Sequence, residues 1–314
     1  MGEEAVSLQS PPGAEVASAE LAGVDARLAA FTNRPRSRVT LWSGVRKQRL
    51  AMTGLIIVSI FAIIAVIGPY VAPYDPIDQD IKNRLQSPNS THWLGTDDFG
   101  RDILSRLLYG ARVSFEVGAI AVGIAGSLGV VLGMIAGYRR GWVDSILVLL
   151  MDVLFAFPAI LLAITIITVL GNNLTNVMIA IAIVYMPTFM RVVRGAVLSV
   201  RSMPYVEAAV SIGTPTPRIL VRHIFPNITA PLIVHASINF GFAVLAEASL
   251  AFLGLGNKAP AASWGSMIQS SYGYLRTAPW MAIVPGTAIA LTVLGFNLLG
   301  DGLRDALDPR LRTS

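Results

Sequence analysis

The sequence predicts an all-α integral membrane protein with six transmembrane helices, on three observations. Hydrophobic residues make up 54% of the 314 and charged residues only 14%, against about 25% charged in ordinary soluble domains. The mean hydropathy is +0.63. Above all, the apolar residues are laid out in continuous blocks of roughly 20, the length that crosses a bilayer core. Strands of a membrane barrel would alternate over about 10 residues instead.

Residues 1–39 are rich in Ala, Ser, Gly and Glu and lack a sustained apolar face. They read as a disordered tail, although Leu21, Val24, Leu28 and Phe31 have the spacing of a short amphipathic helix. In residues 40–50, Trp42 and Val45 alternate with Arg46, Lys47 and Arg49. That pattern suits an interfacial helix with Trp at head-group depth, or a plain basic flank of the first span.

The six spans run approximately over Ala51–Ala72, Val113–Gly137, Ile146–Leu170, Thr175–Gly195, Ile228–Phe252 and Trp280–Gly300. The first block begins only near residue 51 and is long enough to span, so it is expected to stay as an anchor rather than be cleaved as a signal peptide. An outer loop follows at 73–112, where Pro73 and Pro76 punctuate an extended exit and a loop of this length is expected to carry its own structure. Within it, Asp97, Asp98 and Asp102 are placed to pair with Arg101, Arg106 and Arg112. In the second span Gly126, Gly129, Gly133 and Gly137 fall on one stripe, which would let another helix approach closely.

An even number of spans puts both termini on one side. Placing them in the cytosol assigns 17 of the 24 basic residues inside: seven before the first span, Arg139 and Arg140, five around the fourth loop (Arg191, Arg194, Arg201, Arg218, Arg222) and three after the last span. That excess follows the positive-inside rule. The net charge of +5 therefore reads as attraction to anionic lipid head groups, and no motif for nucleic acid accompanies it.

Catalytic signatures are missing. Cysteine is absent, which excludes disulfides and thiolate metal sites. His92, His223 and His235 form no close metal pair, and none of Lys47, Lys82 and Lys258 follows a glycine as a phosphate loop requires. If ATP drives this protein, another chain binds it.

The segment between spans four and five, residues 200–227, is the most informative. Tyr205-Val-Glu207-Ala208-Ala209-Val-Ser-Ile-Gly213 reads as a helix with a Gly stop. Thr214 is a candidate N-cap for a second helix, with Pro215 in its first position and Pro217, Arg218, Arg222, His223 and Pro226 following. The stretch resembles the EAA loop of ABC-importer permeases. Two further segments sharpen the resemblance: His92-Trp93-Leu94-Gly95-Thr96-Asp97 with Leu107-Leu108-Tyr109-Gly110-Ala111-Arg112, and the C-terminal run from Gly300-Asp301-Gly302 to Asp308-Pro309-Arg310. Together they resemble the C-type inner-membrane subunit of the dipeptide, oligopeptide and nickel transporter group, over roughly residues 41–312.

The resemblance implies a type I ABC-importer permease bundle over 51–312. It also implies a second homologous permease subunit, two ATPase subunits carrying ATP and Mg, an extracytoplasmic substrate-binding protein and short peptides as cargo, in a bacterial or archaeal cytoplasmic membrane. It assigns ATPase coupling to Glu207, Ala208, Ala209, Gly213, Arg218, Arg222, His223 and Pro226. The two acids expected inside spans, Asp152 and Glu247, would each cost about 2.5 to 3.5 kcal/mol at mid-membrane, so they should face the bundle, a water-filled cavity or a partner. With Asn239 they are candidates for the translocation path. Structural pairing for the acids, and an interhelical hydrogen bond for Asn239, are the plainer readings. Trp264, Gly265 and Met267, in the loop before the last span, are candidates for an outer gate or a binding-protein contact, or simple interfacial anchors. The alternative in another class is a self-sufficient proton-coupled secondary transporter relaying protons through Asp152 and Glu247.

Overall fold

The computed structural model describes residues 48–256 and 261–307. The tail 1–39, nearly all of the expected interfacial segment, Lys258 and Pro260 in the last loop, and the Asp308-Pro309-Arg310 terminus lie outside the described residues. Within them the chain is built from helices: α1 (Arg49–Val71), α2 (Ile103–Arg139), α3 (Gly141–Phe155), α4 (Ala159–Leu170), α5 (Leu174–Arg201), α6 (Pro204–Ser211), α7 (Thr216–Ile219), α8 (Phe225–Phe252), α9 (Trp264–Ser271) and α10 (Trp280–Leu307). Five helical segments are long and apolar enough to span a membrane, and six when α3 and α4 count as one bent span.

That bend corrects the reading of the third span as one helix. α3 and α4 meet at 91°. Pro158 supplies the reason, since its ring fixes an extended entry and disfavours helical backbone at Phe157; its own ψ is 130°. The second span is also longer than expected. α2 starts at Ile103, ten residues before Val113, because Asp102 caps it by accepting from the Ser105 N–H at 2.8 Å.

α2 and α5 pack side by side along the glycine stripe. A Cβ at Gly129 would lie 2.9 Å from the Met190 nitrogen, and one at Gly133 would lie 2.7 Å from the Met190 carbonyl oxygen. At Gly137 the Arg194 carbonyl stands 2.9 Å away, whereas Gly126 has only ordinary contact with Phe189. These approaches put α2 and α5 parallel, so α3 and α4 together must cross back between their opposite ends. Val117, Ala121, Ala125, Ile167, Val177, Ile181 and Phe189 fill the core that results.

At the end of the bundle where α2 begins, residues 72–102 fold on charged pairs. Arg101 Nε donates to Asp97 Oδ2 at 2.6 Å and its guanidinium lies 3.8 Å from Asp98; Arg106 reaches Asp97 at 3.5 Å and the Pro76 carbonyl at 2.9 Å. Asp102 departs from the expected pattern. It takes the ring of His92 at 2.9 Å and the N-terminus of α2 rather than an arginine.

Candidate coupling site

At the opposite end, α6 and α7 form a hairpin. Pro204 opens α6 at a position where no intrahelical donor is needed. Gly213, with φ of +76°, closes it. The Gly213 N–H donates to the Val210 carbonyl at 2.9 Å and the Thr214 N–H to the Ala209 carbonyl at 3.1 Å, the two bonds of a Schellman stop. Thr214 thus belongs to the end of α6. It does not cap α7, a correction to the expected N-cap: Pro215, extended at φ −64° and ψ 140°, precedes α7 instead.

α7 does not stand apart from the fifth span as a separate helix. It continues through a wide π turn at Leu220–Ile224 directly into α8. Pro226 sits in the first turn of α8. The Asn227 amide donates to the His223 carbonyl at 2.7 Å in the same stretch.

One side of the hairpin is fixed to the bundle. Val206, Ala209, Ile219, Ile224 and Ile228 are buried with Val193 and Val197 of α5. The other side is bare: Tyr205, Glu207, Ala208, Val210, Ile212, Arg218, Val221 and Arg222 are exposed, Ile212 by 82%. His223 is half-buried. Beside the hairpin, Tyr138, Arg140, Arg201, Ser202, Glu207 and Ser211 line a concavity of about 440 Å³. Arg201 lies over the Tyr138 ring at 5.3 Å, and its Nη1 is buried with no hydrogen-bond partner. The site is therefore an apolar ridge with an acid on α6 and cations around it. Among the described residues no group of three or more His, Asp or Glu side chains is placed to hold a metal.

The three path candidates part company. Glu247 is fully buried inside the chain, where Ser114 Oγ donates to its Oε2 at 3.2 Å and Oε1 has no hydrogen-bond partner. Asn239 is also buried and donates to the His235 carbonyl in its own helix at 2.8 Å, not across helices. Glu247 thus faces the bundle, one of its expected settings, while the bond expected of Asn239 across helices is made within its own helix instead, and neither side chain reaches the surface of this chain. Asp152 is exposed and ion-paired with Arg191 at 2.9 Å.

Trp264, Gly265 and Met267 are likewise corrected. They lie in α9, tucked among α2, α8 and α10, and all three are buried. Trp264 donates its indole N–H to the Leu107 carbonyl, and a Cβ on Gly265 would lie 2.5 Å from the Ala248 carbonyl oxygen. All three side-chain positions are thus taken up in packing within this chain, not set at its surface as interfacial anchors.

Sequence reasoning missed the two ion pairs that strap α3 to α5. Arg194 holds Asp144 with bonds of 2.5 and 2.6 Å, and Arg191 holds Asp152. The available signal was that Asp144, Asp152, Arg191 and Arg194 all fall within helical runs, where charges need partners. Glu116, exposed on α2, was also passed over.

Residues 129–313 match the family model described as binding-protein-dependent transport system inner membrane component. Residues 40–88 match that for the N-terminal transmembrane domain of oligopeptide transport permease C. The chain is 48% identical to a dipeptide transport system permease protein DppC of Alkalihalophilus pseudofirmus, over 86% of this chain and 88% of that one. It is 43% identical to a glutathione transport system permease protein GsiD of Pectobacterium atrosepticum, over 87% and 91%, and 44% identical to the one of Escherichia coli, over 86% and 90%. The hairpin lies within the larger match, and the chain belongs to the family of binding-protein-dependent transport system inner membrane components.

Proposed function

We propose that this chain is the permease subunit of an ATP-binding-cassette importer for short peptides and forms half of its translocation path. A second, homologous permease subunit supplies the other half. Two cytosolic ATPase subunits hold ATP and Mg and dock on this hairpin and on its counterpart, so this chain is itself neither an enzyme nor a cofactor carrier. An extracytoplasmic binding protein delivers the cargo. The chain sits in the cytoplasmic membrane with both termini in the cytosol, which places the hairpin on the ATPase side.

The observation that carries this reading is the hairpin: fixed to the bundle through Val206, Ala209, Ile219 and Ile224, yet bare along Tyr205, Glu207, Ala208, Val210 and Ile212. A ridge so held moves with the helices behind it. Glu207 is positioned to take a charge-assisted bond from a Lys or Arg of the ATPase, while Arg218, Arg222 and His223 border the same surface and Pro226 marks where it joins the span. Closure of the ATPase dimer then pushes both hairpins together and rocks the two bundles into an outward-open state. The names of the relatives support peptides as cargo, and the comparisons lend no support to a proton-coupled carrier.

The test is reconstitution of the assembled importer in proteoliposomes. Dipeptide uptake is expected to need ATP and the binding protein and to persist with an uncoupler. Uptake that continues without ATP and collapses with an uncoupler would overturn the reading.

A further inference from the structure

From the elbow between α3 and α4 we infer that Asp152 and Arg191, with Phe155 beside them and Phe157 in the same elbow, form a polar station on the water-filled translocation path, where the charged ends of a short peptide are passed along. The inference rests on the function proposed above.

The backbone supplies the first observation. α3 and α4 together cross between the two ends of the bundle, so their 91° elbow lies at membrane depth. A continuous helix would bond the Ile160 and Leu161 N–H groups to the Ala156 and Phe157 carbonyls. Those bonds are not made, and Leu162 alone reaches back, to Pro158 at 3.0 Å. Residues 155–161 are all exposed on this chain. Bare polar backbone cannot face lipid; it is tolerated at this depth only inside protein or against water.

The side chains supply the second. Asp152 and Arg191 are paired at 2.9 Å yet remain 52% and 59% exposed. Arg191 lies ten residues before the end of α5, about 15 Å along the helix. Its guanidinium sits 4.4 Å over the Phe155 ring. A long arginine can snorkel to the head groups, but the short carboxylate that holds it cannot. An interface with another chain would have to strip water from both charges and from the open backbone groups, at a cost their mutual attraction does not assure of recovering. A hydrated path leaves them all solvated.

The chemistry fits the cargo. A short peptide carries an ammonium and a carboxylate. Arg191 offers a carboxylate the same fork it gives Asp152, and Asp152 offers an ammonium the same acceptor it gives Arg191. The pair is thus a pre-neutralised site that opens to exchange partners, and the exposed rings of Phe155 and Phe157 in the elbow offer apolar contact to the side chains between those ends.

The chain contains no cysteine, so single cysteines placed in the assembled importer, with its other subunits also cysteine-free, report on water directly. Val153→Cys and Phe157→Cys are compared with Ile60→Cys, on an exposed face of α1 shared with Ile56, Ile63 and Ile67. Each is treated with small cationic and anionic methanethiosulfonates, which need an ionised thiol. The elbow cysteines are expected to react at least about tenfold faster than the α1 control, and a dipeptide delivered by the binding protein is expected to slow them. Adding Arg191→Gln should shift the rate ratio toward the cationic reagent and Asp152→Asn toward the anionic one. A merely structural pair would not produce these opposite shifts. Labelling no faster than the control through the ATP cycle overturns the inference, whether the elbow then crosslinks to the second permease or reacts only with lipid-soluble maleimides. ATP-driven dipeptide uptake measured in the same vesicles separates the outcomes. Normal uptake with a dry elbow overturns the station alone, whereas ATP-independent uptake overturns the function on which it rests.

Discussion

The indole N–H of Trp264 donates to the carbonyl oxygen of Leu107 at 3.0 Å, joining α9 to the first turns of α2 across 157 residues of sequence. The ring stands edge-on to Phe61 of α1 at 5.7 Å, so three helices meet on it. Trp264→Phe keeps most of that volume and loses the hydrogen bond, at about 1 kcal/mol. Trp264→Ala opens a cavity and should cost about 3 to 5 kcal/mol. Thermal unfolding of the detergent-purified complex should rank the two in that order; equal melting temperatures would remove Trp264 from its packing role.

Gly133 and Gly123 lie on the same helix with different surroundings. A side chain at Gly133 meets the Met190 carbonyl oxygen at 2.7 Å and Val193 Cβ at 2.8 Å, while one at Gly123 meets nothing within 4 Å. Gly133→Val should force α2 and α5 apart and cost about 1 to 3 kcal/mol or more. Gly123→Ala should leave the fold intact. Yield of monodisperse protein from membranes measures both, and equal tolerance would mean that the two helices do not touch as described.

Gly213 gives a purely conformational prediction. Its φ of +76° suits glycine, and nothing lies within 4 Å of a built Cβ. Gly213→Val therefore causes no clash and costs about 1 to 2 kcal/mol of backbone strain. The variant should insert normally but lose ATPase subunits during purification. Gly213→Asn, which tolerates the left-handed region better, should retain more of them.

Asp98 carries a pH prediction. Burial, followed by the neighbouring Asp97 charge, raises its pKa above the usual aspartate value, and its Oδ1 is buried without a hydrogen bond. The folded state then holds this proton more tightly than the unfolded chain does. The contribution to stability is full below the ordinary aspartate pKa and is lost as pH rises through the raised value. Asp98→Asn should remove that slope and stabilise the 72–102 loop at neutral pH, read as slower proteolysis of the loop and a flatter melting profile against pH. An unchanged slope would show that Asp98 is not its source.

How much of this was legible in the sequence depended on the kind of signal. Blocks of apolar residues located the spans because length and hydropathy together define one. The same measure is blind to direction, so the elbow went unread although Pro158 stood within the run. Tryptophan at a span end reads equally as an anchor or as core, and for Trp264 only the enclosing helices decided. Its local signal was Ser263, whose side chain and Ser266 form a capping box that starts α9. The stop at Gly213 was legible because one residue type supplies it. Which face of the hairpin is bare was not, since Ala208 and Ala209 are identical and only the latter is buried.

The union of α7, the π turn and α8 makes a single shaft from Thr216 to Phe252, 37 residues long, or about 55 Å. At its far end Ala248 presses on Gly265 and so on the small helix that carries Trp264. Any tilt of that shaft moves both of its ends together, and the i→i+5 turn and Pro231 are the places within it where it can bend. The small helix that carries Trp264 is thus joined to the α6–α7 hairpin through one continuous helical segment.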